Sequence, residues 1–149
     1  MPSRLRESLA AGLLTPEQAL AMEVHGRTES AVLAPLYADA AGELHAVFTK
    51  RRDDLRRHPG EISFPGGRRD PEDPDLTTTA LREAHEEIGL PPEAVEIVGA
   101  LPPTPTFVTN YAVYPFVGLI EPGFAWEVAD AEVAYVLEFP LETVRAAHG

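Results

Sequence analysis

The residues with the most evident chemical potential are Glu83, Glu86 and Glu87, in the stretch TALREAHEEIGL from Thr79 to Leu90. They fall in the last turns of a helix expected from about Leu76 to Ile88, with Asp75 as N-cap and Gly89 just past the end. On a helical wheel Leu81, Ala84 and Ile88 form one stripe, and the three glutamates lie on the opposite face. Spacing of i, i+3 and i+4 brings their Cβ atoms to roughly 5–6 Å from one another. Acidic groups at a helix C-terminus oppose the macrodipole and repel each other, a cost of about 1 kcal/mol in all. A solvated surface tolerates that cost. A hard divalent cation removes it, because Mg²⁺ and Mn²⁺ bind clustered carboxylates and leave places for phosphate oxygens. Arg82, four residues before Glu86, pairs with part of this charge.

The rest of the charge is unevenly placed. The net charge of -12 argues against a general nucleic-acid partner. Seven of the 12 lysines and arginines lie between Lys50 and Arg69, whereas 11 acids and only Arg145 lie from Glu83 onward. A basic segment that feeds an acidic helix suits a small anionic ligand held together with metal cations. Two solvated surfaces of opposite sign are the plainer alternative. The chain has no cysteine, which excludes disulfides and thiolate chemistry and leads us to expect a cytoplasmic protein. No apolar run has transmembrane length, so no membrane role is expected.

These groups need a scaffold. At 149 residues, 44% of them apolar, a single domain is expected, with residues 1–28 as a helical N-terminal extension. Ala31–Tyr37 and Leu44–Arg51 read as a hairpin around Asp39–Glu43. ISFPGG is a short extended piece after a polar loop. Val95–Leu101, Ala112–Ile120 and Glu132–Phe139 read as further strands, Pro102–Thr106 as a loop, and PLETVRAA as the start of a helix. One long helix among many strands indicates an α/β or α+β fold with a mixed sheet.

With these elements in place, GGRRDPEDPDLTTTALREAHEEIGL resembles the Nudix box, the motif of hydrolases that cleave a nucleoside diphosphate linked to another group. REAHEEIGL matches throughout. The loop before it is one residue longer than the general pattern, and its acid is Asp73 where glutamate is usual. Upstream, FTKRRDDLRRHPGEISFPGGRRD resembles the segment of the coenzyme A pyrophosphatase branch, carried by Thr49, Arg51, Arg56, Gly60 and Phe64-Pro65-Gly66-Gly67, with Arg52 where a small residue is usual. The resemblance covers roughly Ser30 to Leu141. It implies an α/β/α sandwich whose C-terminal helix layer is truncated or built differently here, leaving apolar sheet surface to be exposed if nothing replaces it.

The resemblance also implies roles. Glu83, Glu86, Glu87 and the Gly67 carbonyl would bind Mg²⁺ or Mn²⁺, and Arg82 would orient the carboxylates. Lys50, Arg51, Arg56, Arg57, Arg68 and Arg69 are candidates for the phosphates of a small-molecule substrate, coenzyme A or a related nucleotide. Glu121, Glu127 and Asp130 are candidates for a late acid acting as general base, although each reads more readily as loop surface. His85 and His58 read as surface. The implied reaction is hydrolysis of coenzyme A to 3′,5′-ADP and 4′-phosphopantetheine. The alternatives are the same chemistry on NADH, ADP-ribose or a dinucleoside polyphosphate, and a nucleotide-sensing module without activity. An acidic adaptor explains the charge but not the order of the motifs.

Overall fold

In a computed structural model of the protein, residues 3–24, 26, 28–54, 60–106, 110–129 and 131–143 are described. β1 (Thr28–Ala38) and β2 (Leu44–Arg51) form the expected hairpin, with Leu36 opposite Ala46. Its turn closes because one Asp39 carboxylate oxygen accepts the backbone N–H groups of Ala41 and Glu43, each at 2.9 Å, and Gly42 takes the left-handed conformation at φ +84°. β3 (Ile62–Ser63) pairs with β2, and β4 (Gly66–Arg68) pairs with β1. β5 (Glu96–Ala100), β7 (Tyr111–Leu119) and β8 (Val133–Pro140) are the later strands foreseen from the sequence. The segment expected as loop contains a further strand, β6 (Thr104–Thr106), paired with β7. Its Pro105 fits an edge position, where a missing N–H costs nothing. The result is an eight-stranded mixed sheet in which β1 and β7 run parallel.

The period-2 alternation of β1 divides the interior. Ala31 and Leu33 face α3 (Leu76–Ile88), where Leu76, Ala80, Ala84 and Ile88 are buried. Ala34 and Leu36 face the other way, with Val117 and Leu119 of β7. The helical stripe is therefore centred differently from the wheel. Leu81 is only partly buried, and Glu87 joins the buried set at 5% exposure. Full burial of Leu76 and Ile88 contributes roughly 1.5–3 kcal/mol each, which outweighs the repulsion among the glutamates. The ends of α3 form as the sequence requires: Asp75 accepts the Thr78 N–H at 2.8 Å, and Gly89 is left-handed at φ 74°.

The expected bare sheet face is half covered. Leu9 of α1 (Ser3–Gly12) and Leu13 just beyond its end pack on it with Leu141. α2 (Pro16–Leu20) follows, started by a Thr15–Gln18 capping box. Leu14 and Ala100 exchange backbone hydrogen bonds of 3.0 and 2.8 Å, so this N-terminal segment is tied to the sheet rather than appended. Residues 141–143 begin the expected last helix. No helix among the described residues is long and apolar enough to cross a membrane.

Candidate active site

β4 and α3 create the site between them. Thr49, buried in β2, donates its hydroxyl to the Ser63 carbonyl at 3.1 Å and so fixes the start of Phe64-Pro65-Gly66-Gly67. The Gly66 N–H then reaches the Glu87 carboxylate at 2.8 Å. The two glycines are needed for close approach. A Cβ on Gly66 would lie 2.5 Å from the Ala31 carbonyl oxygen, and one on Gly67 would lie 2.6 Å from the Glu83 carboxyl carbon. The glycine turn therefore rests directly on two of the three helix glutamates.

Arg82 is the hub beneath that turn. Its Nη1 donates to Glu83 at 3.0 Å and to Glu86 at 3.1 Å. Its Nη2 donates to Asp73 at 3.0 Å and to the Arg68 carbonyl at 3.2 Å. Asp73 is 6% exposed and also accepts the Asp70 N–H and the Thr79 hydroxyl. These hydrogen bonds, with Arg82 first, hold its carboxyl down at about 2. The shorter acid in the longer loop is thus an anchor for Arg82, although its displaced position in the motif gave no sign of that.

The helix carboxylates differ in environment. Burial is the largest cause raising Glu87, to about 8, with the charges of Glu83 and Glu132 adding to it and the Gly66 N–H and Arg51 opposing. Glu83 is raised as well, chiefly by burial, against the pull of Arg82. The Glu86 side chain is 58% exposed. Among the described residues no three acidic or histidine groups converge closely enough to enclose a cation, as Arg82 draws Glu83 and Glu86 to itself. The donor set nevertheless fits a hard cation: oxygen ligands only, two of them in a setting that penalises their own negative charge.

A cleft of about 810 Å³ opens over these groups. Arg51, Arg68, Arg69, Arg82, Glu83, Glu87 and Glu132 all line it. The six candidate phosphate ligands divide. Arg51 faces the site, acting on Glu87. Arg69 is engaged by Glu29 at 3.0 Å and by the Asp73 and Pro74 carbonyls, so it also braces the entry to α3. Lys50 is paired with Asp53 at 3.1 Å and does not line the cleft. Arg56 and Arg57, with His58 and Asp130, lie outside the described residues. Of the late acids, Glu127 packs against Gly89 at the end of α3, and Glu121 lines a separate small concavity with Glu93 and Glu96. Among the described residues, Glu132, read only as the first residue of a strand, is the late acid that reaches the cleft. Its carbonyl accepts the Arg52 N–H at 3.0 Å, a cross-strand contact that sequence alone does not reveal. His85 is exposed on the helix flank.

The NUDIX domain profile matches residues 27–148. The Nudix hydrolase NudL of Enterobacter sp. (strain 638), itself uncharacterised, is 45% identical over 129 residues, 87% of this chain and 65% of that protein. NudL of Citrobacter koseri is 43% identical over 128 residues, again 65% of its length. This chain thus spans just under two thirds of those relatives. Among solved structures, a C. elegans Ap4A hydrolase in a binary complex has a TM-score of 0.66 at 18% identity, over 80% of this chain and 85% of that one. The NUDIX domain of Shewanella oneidensis NrtR complexed with ADP ribose has a TM-score of 0.63 at 18% identity, over 94% and 86%. A profile match across most of the chain, on the fold that those structures share, shows that the protein belongs to the Nudix family.

Proposed function

We propose that the chain is a Mg²⁺- or Mn²⁺-dependent pyrophosphohydrolase of nucleoside diphosphate derivatives, with coenzyme A as substrate. The observation that carries this reading is the Gly66–Gly67 turn seated on Glu87 and Glu83 in a cleft that also presents Arg51 and Arg68. Glu83, Glu86, Glu87 and the Gly67 carbonyl would hold the metal, which when bound neutralises charge on the diphosphate. Arg51 and Arg68 bind phosphate oxygens, Arg51 from beside Glu87. Asp73 fixes Arg82, and Arg82 fixes the rotamers of Glu83 and Glu86. Glu132 takes the proton of the attacking water. The water oxygen adds to one phosphorus, the anhydride P–O bond breaks, and 3′,5′-ADP and 4′-phosphopantetheine leave. Clustered guanidinium groups suit a substrate with a 3′-phosphate in addition to its diphosphate.

The Ap4A hydrolase and the ADP-ribose complex among the fold neighbours make dinucleoside polyphosphates and ADP-ribose the comparison substrates. The test is kcat/KM for coenzyme A against its 3′-dephospho form, ADP-ribose, NADH and Ap4A, with Mg²⁺ or Mn²⁺. The expected result is a clear preference for coenzyme A. Equal rates with and without the 3′-phosphate would remove the role given to the arginines.

A further inference from the structure

The cleft extends well past the carboxylates, and its far half is of a different chemistry. Ser30, Val32 and Val113 form its floor: Ser30 and Val32 alternate along β1 on the face opposite α3, and Val113 is the register partner of Ser30 on β7. The wall is Phe48 and Phe64, stacked with centroids 4.5 Å apart and an interplanar angle of 18°. Ile62, 51% exposed, continues the wall to the mouth. This is the part of the second sheet face that α1 leaves uncovered, since Leu9 and Leu13 pack with Ala34, Leu36, Val117 and Leu119 instead. Ser30 is 5% exposed, and its hydroxyl makes no hydrogen bond among the described residues. It is a polar group set beside Val32 and Val113, in a cleft whose lining also includes Glu61, Ser63 and Tyr111 and which ends in a metal-type site.

We propose that this floor and wall form the subsite for the non-nucleotide arm of the substrate, and that they select an arm of methyl and methylene groups with isolated amides over a sugar or a second nucleoside. The inference rests on the pyrophosphohydrolase reading for the position of the diphosphate, at the glycine turn. From that point an arm passes over Val32 and Val113 and between the Phe48–Phe64 wall and the Ser30 hydroxyl. An apolar chain buries against these groups at no polar cost. One amide meets Ser30. A ribose carries a hydroxyl on nearly every carbon, and those laid on Val32, Val113 and the two phenyl rings would be desolvated without a partner. Discrimination by unmatched polar groups is the strong kind, whereas an apolar floor alone separates ligands weakly.

The test is equilibrium binding of two phosphate monoesters that differ only in the arm, 4′-phosphopantetheine and ribose 5-phosphate, by calorimetry without metal. The expected result is at least about tenfold tighter binding of 4′-phosphopantetheine. Ile62→Asp at the exposed mouth, and Ser30→Val on the floor, should each reduce that ratio by about fivefold or more while ribose 5-phosphate binding stays constant. Circular dichroism and Tm establish whether each variant is folded. Ile62→Asp is the decisive one should Ser30→Val fail to fold, because its side chain is half in solvent. Equal binding of the two esters, or a ratio that Ile62→Asp leaves unchanged, overturns the subsite. Because no turnover is involved, absence of coenzyme A hydrolysis would refute the function proposed above without touching this result.

Discussion

At the scale of residues, the site is organised by two carboxylates with opposite titration behaviour. Asp73 is held at about 2 in the folded protein by Arg82, the Asp70 N–H and Thr79. A depressed carboxyl stabilises the fold above its unfolded pKa, and that contribution is lost as pH falls from about 4 to about 2. Asp73→Asn should therefore lower stability by about 2 kcal/mol at neutral pH, a Tm shift of roughly 4–8 °C, and flatten the acid limb of the stability profile. Glu87 behaves inversely. Raised to about 8, it keeps its proton in the folded, metal-free protein through a range where the unfolded chain has lost it. Metal-free stability should then fall as pH rises from about 5 to about 8, and Glu87→Gln should remove the fall. Thermal melts in chelator across that range check both points. Calorimetry of Mn²⁺ binding near pH 7 in buffers of different ionisation enthalpy should show protons released by wild type and fewer by Glu87→Gln.

At the scale of elements, β4 and α3 act as one part. Gly67 has an ordinary backbone conformation, so Gly67→Ala should leave the Tm within a few degrees yet push the Glu83 carboxylate from its place and cut kcat by about tenfold or more. Gly89→Ala is different. It forces a left-handed residue and a contact of 2.9 Å with the Glu127 Cβ, and should cost about 1–2 kcal/mol of stability. Denaturant melts and steady-state rates on the two variants separate these effects. The helix was legible in the sequence to its ends, because Asp75 and Gly89 are local signals that tertiary context did not override. What was not legible depended on what packs against it. The wheel placed Glu87 with Glu83 and Glu86 on the face opposite the buried stripe, but the glycine turn folds down on Glu87 and buries it. The sequence likewise did not point to Glu132, since its place depends on the pairing of β8 with β2 rather than on its neighbours in the chain.

At the scale of the molecule, the second sheet face explains both the tie of the N-terminal segment and the position of the cleft. α1 covers the half of that face nearest Leu36 and Leu119, and the other half is the cleft floor. Leu9→Ser with Leu13→Ser should lower the Tm while leaving the glycine turn and α3 intact, so that kcat per folded molecule changes little below the melting range. The central claim concerns the carboxylates themselves, and product analysis tests it most directly: coenzyme A with Mn²⁺, for wild type, Glu86→Gln and Glu87→Gln, each shown to be folded. The account predicts 3′,5′-ADP and 4′-phosphopantetheine from wild type and a loss of about a hundredfold or more in rate for each variant. Turnover that neither substitution alters would contradict it.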